Sequence, residues 1–167
     1  MQPHSDPNRQ LGAASVSSDG LRPRRLIVEA DGGSRGNPGP AAYGALVRDA
    51  ATGDVLSREG LSIGEATNNV AEYSGLIAGL EMARAIDPAA EVEVRMDSKL
   101  VVEQMAGRWK IKHAAMVPLA LKASKLRPAR VVWTWVPRGH NKAADALVNS
   151  ALDGEPIRRQ VPASGCL

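Results

Sequence analysis

Two short apolar runs, each stopped by an aspartate, constrain this chain more than any other feature. Leu26-Ile27-Val28-Glu29-Ala30 ends at Asp31, and Glu91-Val92-Glu93-Val94-Arg95-Met96 ends at Asp97. Runs of this length and composition, bounded by turn residues, predict strands. An acid at the carboxyl end of a strand sits where open α/β sheets place their ligands. After Asp31, the stretch from Gly32 to Pro40 reads as a turn-rich loop. Ala41 to Arg48 and Val55 to Ile63 then alternate as two further strands about a turn at Thr52-Gly53-Asp54, giving three consecutive antiparallel strands. From Asn69 to Ile86 the apolar positions step by three and four, as in an amphipathic helix that Asp87-Pro88 ends. Beyond Asp97 the pattern predicts helices from about Ser98 to Gly107 and Met116 to Leu126, a strand over Val131–Val136, and a last helix from about Asn141 to Leu152. The order β-β-β-α-β-α-α-β-α implies an α/β fold: a mixed five-stranded sheet, three antiparallel strands then parallel additions, flanked by helices.

A chain of 167 residues suits one compact domain, placed here at residues 25–153. Residues 1–24 have no apolar periodicity and several Pro and Gly, so a mobile arm is expected; residues 154–167 read as a flexible tail or linker. The lone cysteine, Cys166, excludes an internal disulfide and a cysteine-based zinc site. No apolar run approaches the length of a signal peptide or membrane span, so a cytoplasmic protein without a membrane partner is expected. A formal charge of +3 is compatible with a polyanionic partner but decides little.

Two more acids complete a candidate site: Glu72 in the first turn of the long helix and Asp145 in the first turns of the last one. Four carboxylates with no basic partner in their motifs repel one another unless they hold cations, and hard oxygen ligands favour magnesium or manganese over zinc. Each acid also has a plain structural reading. Asn69-Val-Ala-Glu72 fits a helix capping box, Asp31 a turn, Asp97-Ser98 a helix cap, and Asp145 a solvated helix position.

The segments Asp31-Gly-Gly-Ser-Arg-Gly-Asn-Pro-Gly-Pro40, Thr67-Asn-Asn-Val-Ala-Glu72, Met96-Asp-Ser-Lys-Leu-Val-Val-Glu-Gln104 and Trp135-Val-Pro-Arg-Gly-His-Asn-Lys-Ala-Ala-Asp145 resemble, in order, the motifs of bacterial type 1 ribonuclease H. The glycine loop fits neither a Walker A sequence nor a dinucleotide fingerprint. The resemblance covers roughly residues 25–153 and implies a ribonuclease H-like fold. It also implies hydrolysis of the RNA strand of an RNA-DNA hybrid, leaving 5′-phosphate and 3′-hydroxyl ends. Two magnesium ions, with manganese as an alternative, would be held by Asp31, Glu72, Asp97 and Asp145, with Asp31 between them. His140 is implied as an auxiliary proton carrier; its plain reading is an exposed loop histidine.

The same resemblance puts Gly33, Asn37, Asn68 and Asn69 against the minor groove of the hybrid and Thr67 on a DNA phosphate, with helix capping as the alternative for the two asparagines. Trp109, interleaved with cations in Arg108-Trp-Lys-Ile-Lys-His113, either tracks the nucleic acid or anchors the core beneath solvated lysines. The chain resembles short forms that lack an extended basic handle and are sometimes fused to a phosphatase-like domain. It is expected to act alone as a monomer. A hybrid-binding module without chemistry and an integrase-like enzyme on the same fold are the competing functions.

Overall fold

The computed structural model describes residues 23–160. Its strands are β1 (Arg25–Ser34), β2 (Gly39–Asp49), β3 (Val55–Ala66), β4 (Glu91–Met96) and β5 (Val131–Trp135), and its helices α1 (Asn68–Ile86), α2 (Lys99–Met105), α3 (Val117–Leu126) and α4 (Lys142–Leu152). They form one mixed sheet in the order β3-β2-β1-β4-β5. The hairpin strands β1, β2 and β3 pair antiparallel, and β4 and β5 add in parallel. Because β1 and β4 are parallel neighbours, Glu29 opposite Arg95, their carboxyl ends reach the same edge. That edge brings Asp31 and Asp97 together.

Helices cover both faces of the hairpin strands, so β2 is buried at Ala41, Ala42, Gly44, Ala45, Leu46 and Val47 instead of alternating. On one face α1 supplies Tyr73, Leu76 and Leu80 to a core shared with Val28, Val94 and Met96. On the other, Ala144, Leu147, Val148 and Ala151 of α4 meet Ala42 and Leu46. Glycines let both helices come close. A Cβ on Gly32 would lie 2.1 Å from the Ala71 carbonyl carbon, and one on Gly75 would lie 2.5 Å from the Asp31 carbonyl oxygen. On the α4 side, a Cβ on Gly44 would lie 2.4 Å from the Ala144 oxygen.

The structure differs from the sequence reading at four places. The glycine stretch is mostly strand: β1 runs on to Ser34 and β2 begins at Gly39, leaving a short turn closed by Arg35 N–H donating to the Pro40 carbonyl at 2.8 Å. Glycines with extended backbones read as loop on composition, yet here Gly32 and Gly33 pair with Tyr43 and Ala42. Helix α1 is capped by Thr67, whose side chain accepts from Val70 N–H, so Glu72 lies in the second turn and closes no capping box. Residues 154–160 are not a loose tail. Ile157 and Gly60 exchange backbone hydrogen bonds of 2.8 Å, and Arg159 pairs with Glu59 at 3.1 Å and Glu81 at 3.5 Å. The expected arm falls outside the described residues as far as position 22; Arg24 is fixed, its carbonyl accepting from Glu91 N–H at 2.8 Å.

Substituting Gly75→Ala should drive a methyl group into the backbone of Asp31 and lower stability by about 1–3 kcal/mol, the usual cost of overpacking. Urea unfolding measures it, and Gly139→Ala is the control because its surroundings are open and its backbone is not in the left-handed region. Equal stability of Gly75→Ala and the parent protein would contradict the close approach.

Candidate active site

Asp31 lies inside β1 opposite Gly44 and is 7% exposed, whereas Asp97 follows the last residue of β4. Glu72 reaches the same place because Gly32 admits the α1 backbone at residues 71 and 72. One carboxylate oxygen from each of Asp31, Glu72 and Asp97 lies within 4.8 Å of the others. Asp145, on α4, stands outside that tight group. Its Oδ2 accepts from Asn149 Nδ2 at 3.3 Å, and its charge still acts on Asp31.

The electrostatics follow from this packing. Burial first, then the charges of Asp97, Asp145 and Glu72, push the Asp31 carboxyl up to about 8, against a partial counter-effect from the Gly32 backbone. Burial likewise raises Glu72 to about 7, helped by Asp97 and opposed by a hydrogen bond from Ser98 and by the charge of Arg138. A divalent cation relieves such crowding, and an all-oxygen donor set of this spacing fits a hard ion. The residues present therefore fit magnesium or manganese.

The cluster has a basic neighbour after all: Arg138 Nε lies 3.6 Å from Asp97 Oδ2, on a side chain 90% exposed. Within its own motif this arginine could have been singled out by charge, but nothing local says that it turns toward Asp97. Two more residues were missed. Trp135 donates its indole N–H to the Asp97 carbonyl at 3.2 Å. Asn141, fully buried, donates from Nδ2 to the Ala30 carbonyl at 3.0 Å and to Asp97 Oδ1 at 3.4 Å.

Around this centre the other expected residues occupy defined places. Asn68 accepts through Oδ1 from the Ser34 N–H at 2.9 Å and from its hydroxyl at 3.0 Å, while its own N–H donates to Asn37 Oδ1 at 3.1 Å. These bonds fasten the β1–β2 turn to the start of α1 beside Thr67. Asn69 is half-buried at the second position of α1, and Gly33 is half-buried in β1. His140 is exposed in a short 3-10 turn, Arg138–His140, immediately before Asn141. Trp109 is 45% exposed, so it is not a core anchor, and it lies beyond the end of α2.

Residues 29–151 match the family model described as reverse transcriptase-like. The chain is 54% identical over 131 residues to the bifunctional protein Rv2228c of Mycobacterium tuberculosis, covering 77% of this chain but 36% of that protein, so it spans about a third of the length of that relative. The solved N-terminal RNase H domain of the same protein superposes with a TM-score of 0.76 at 53% identity, over 79% of this chain and 96% of that one. A ribonuclease H of Hydrogenovibrio crunogenus is 35% identical over 140 residues, 74% of this chain and 92% of its own. The crystal structure of LC11-RNase H1 in complex with an RNA/DNA hybrid gives a TM-score of 0.73 at 41% identity, over 77% of this chain and 97% of that one.

In the metal-free protein, a carboxyl whose folded value is raised holds a proton that the unfolded chain has released. Stability from this source is therefore complete below the ordinary carboxylate range and is lost as pH rises through about 7 and 8, the values of Glu72 and Asp31. Asp31→Asn removes the charge that is hardest to hold. In EDTA it should be more stable than the parent by about 1 kcal/mol or more at alkaline pH, with the gap closing near the ordinary carboxylate range. Urea midpoints across that pH interval check it; a gap that widens on acidification contradicts the burial of Asp31.

Proposed function

Because the chain belongs to the type 1 ribonuclease H family, we propose that it hydrolyses the RNA strand of RNA-DNA hybrids at the edge where β1 and β4 end. The observation that carries this reading is the convergence of Asp31, Glu72 and Asp97 from two strands and a helix on one cation-sized space. LC11-RNase H1, solved with an RNA/DNA hybrid, supports the substrate class. Among the described residues no helix is long and apolar enough to cross a membrane.

In this reading Asp31, Glu72 and Asp97 would hold two divalent ions, magnesium or manganese, with Asp145 completing the set from α4. When bound, such ions lower the pKa of an attacking water and stabilise charge on the departing oxygen. Water oxygen adds to phosphorus as the bond to the 3′ oxygen breaks, leaving a 5′-phosphate and a 3′-hydroxyl. Arg138, exposed at the mouth of the cluster, would neutralise the phosphate that enters beside Asp97. His140, exposed in the adjoining turn, would pass a proton to solvent or to the leaving oxygen.

Discrimination of RNA from DNA falls to the turn and the start of α1. With its Oδ1 occupied by Ser34, Asn68 has its Nδ2 to offer a 2′-hydroxyl or base edge, and Asn37, bonded to the Asn68 N–H, together with Asn69 and Gly33 is proposed to share that role. Thr67 uses its oxygen to accept from Val70 N–H, so its hydroxyl proton is left for a DNA phosphate. Trp109, half exposed among Arg108, Lys110 and Lys112, offers a ring and flanking charge to the backbone. The protein is proposed to act as a monomer.

Cleavage of an end-labelled hybrid with magnesium, beside an all-DNA duplex and double-stranded RNA, tests the reading. RNA-strand cutting is expected, and it should fall to background with EDTA or Asp31→Asn. Hybrid binding without cutting in magnesium or manganese would make the chain a binding module instead. Hybrid affinity should also fall steeply with salt if Arg138, Thr67 and the cations beside Trp109 bind it mainly through phosphates; a log-log slope near zero would refute that part.

A further inference from the structure

Asn141 precedes α4 as its N-cap residue yet makes no side-chain capping bond. Asparagine at that position ordinarily turns its oxygen to the free N–H groups of the first turn. Here the side chain points the other way, is fully buried, and leaves its Oδ1 without a hydrogen-bond partner among the described residues. A residue retained only to start a helix or fill the core would do neither, since a stranded buried acceptor disfavours folding. What the side chain gains is two acceptors for one Nδ2: the Ala30 carbonyl, next to Asp31, and Asp97 Oδ1. Ala30 follows the last residue of β1 that pairs with β4, Glu29 opposite Arg95. The asparagine amide thus spans the place where the parallel ladder stops, bridging the β1 backbone just before Asp31 and the carboxylate that follows β4.

We infer that Asn141 is a positioning residue that sets the direction of the Asp97 carboxylate and the spacing of Asp97 from Asp31. The inference rests on the function proposed above. Three groups then fix Asp97: the Asn141 amide on Oδ1, Arg138 facing Oδ2, and the Trp135 indole on its carbonyl. Asn141 is the neutral donor beside the carboxylate, so it orients the carboxylate without cancelling the charge that a cation needs. Its backbone carbonyl also accepts from Asp145 N–H at 3.1 Å. One residue therefore links β1, the end of β4 and the helix that presents Asp145.

The test compares the full chain with Asn141→Ser and Asn141→Ala. Serine is itself a good N-cap, so that variant keeps α4 well started while its short hydroxyl cannot span both acceptors. Three readouts are taken: thermal unfolding in EDTA, manganese binding by calorimetry without nucleic acid, and kcat and KM for hybrid cleavage across a manganese titration. Both variants are expected to bind manganese about 10-fold or more weakly, the usual consequence of losing a group that orients a ligand. The loss in cleavage should fall on kcat, with KM for the hybrid little changed, and extra manganese should recover part of it. Folded variants with the parent's manganese affinity and kcat would overturn the inference, as would lowered thermal stability with unchanged manganese affinity, which marks a purely structural role. If the parent protein neither binds manganese nor cuts hybrid, the proposed function itself fails, and the inference falls with it.

Discussion

The site depends on how near two helices can come to a strand. Gly32 and Gly75 remove the side chains that would separate α1 from β1, and Gly44 does the same between β2 and α4. Without those glycines, Glu72 would stand a side chain's width farther from Asp31, and α4 would ride higher above the sheet. A small change in spacing matters here because the acids come from separate elements and share no local segment that could compensate. Close packing of backbones therefore supplies the positional accuracy that a ligand cluster needs.

That accuracy conflicts with stability. Buried Asp31 and half-buried Glu72 lie beside one another and beside Asp97, and both hold their protons far above the ordinary carboxylate range. Arg138 offsets part of the charge from an exposed position, where solvent screens it. The remainder is left for a cation. The protein thus keeps a region that is poorly matched to an empty state, as binding sites built for strong ligands often are.

The order of elements, the mixed sheet and the shared edge of Asp31 and Asp97 were legible in the sequence because strand length, periodicity and the motifs agree there; Asp31 itself lies inside β1, not at its end. Other features were not legible, for identifiable reasons. Gly32 and Gly33 read as loop because composition cannot reveal a strand whose glycines exist to admit a helix. The plain alternative for Glu72, a capping box, rested on its spacing from Asn69; the cap went instead to Thr67, two residues earlier, which leaves Glu72 to the acid cluster. Arg138, Trp135 and Asn141 carried no local signal for their bonds to Asp97, which cross some 38 to 44 positions of chain. The polar run after Gly154 looked loose because the partner of Arg159, Glu59, lies 100 residues away.

That last pairing has a bearing on how the molecule meets others. β3 is an outer strand of the sheet, and outer strands offer unpaired backbone groups to any passing extended segment. The segment around Ile157 takes up the Gly60 donor and acceptor, and the Gln160 carbonyl accepts from the Ser57 hydroxyl at 2.9 Å. Part of that rim is thereby withdrawn from recruitment into a neighbour's sheet. On the opposite rim, β5 is only five residues long. The residues just past the last helix thus act as a partial guard on an exposed sheet edge, a brake on edge-to-edge pairing that is separate from surface charge.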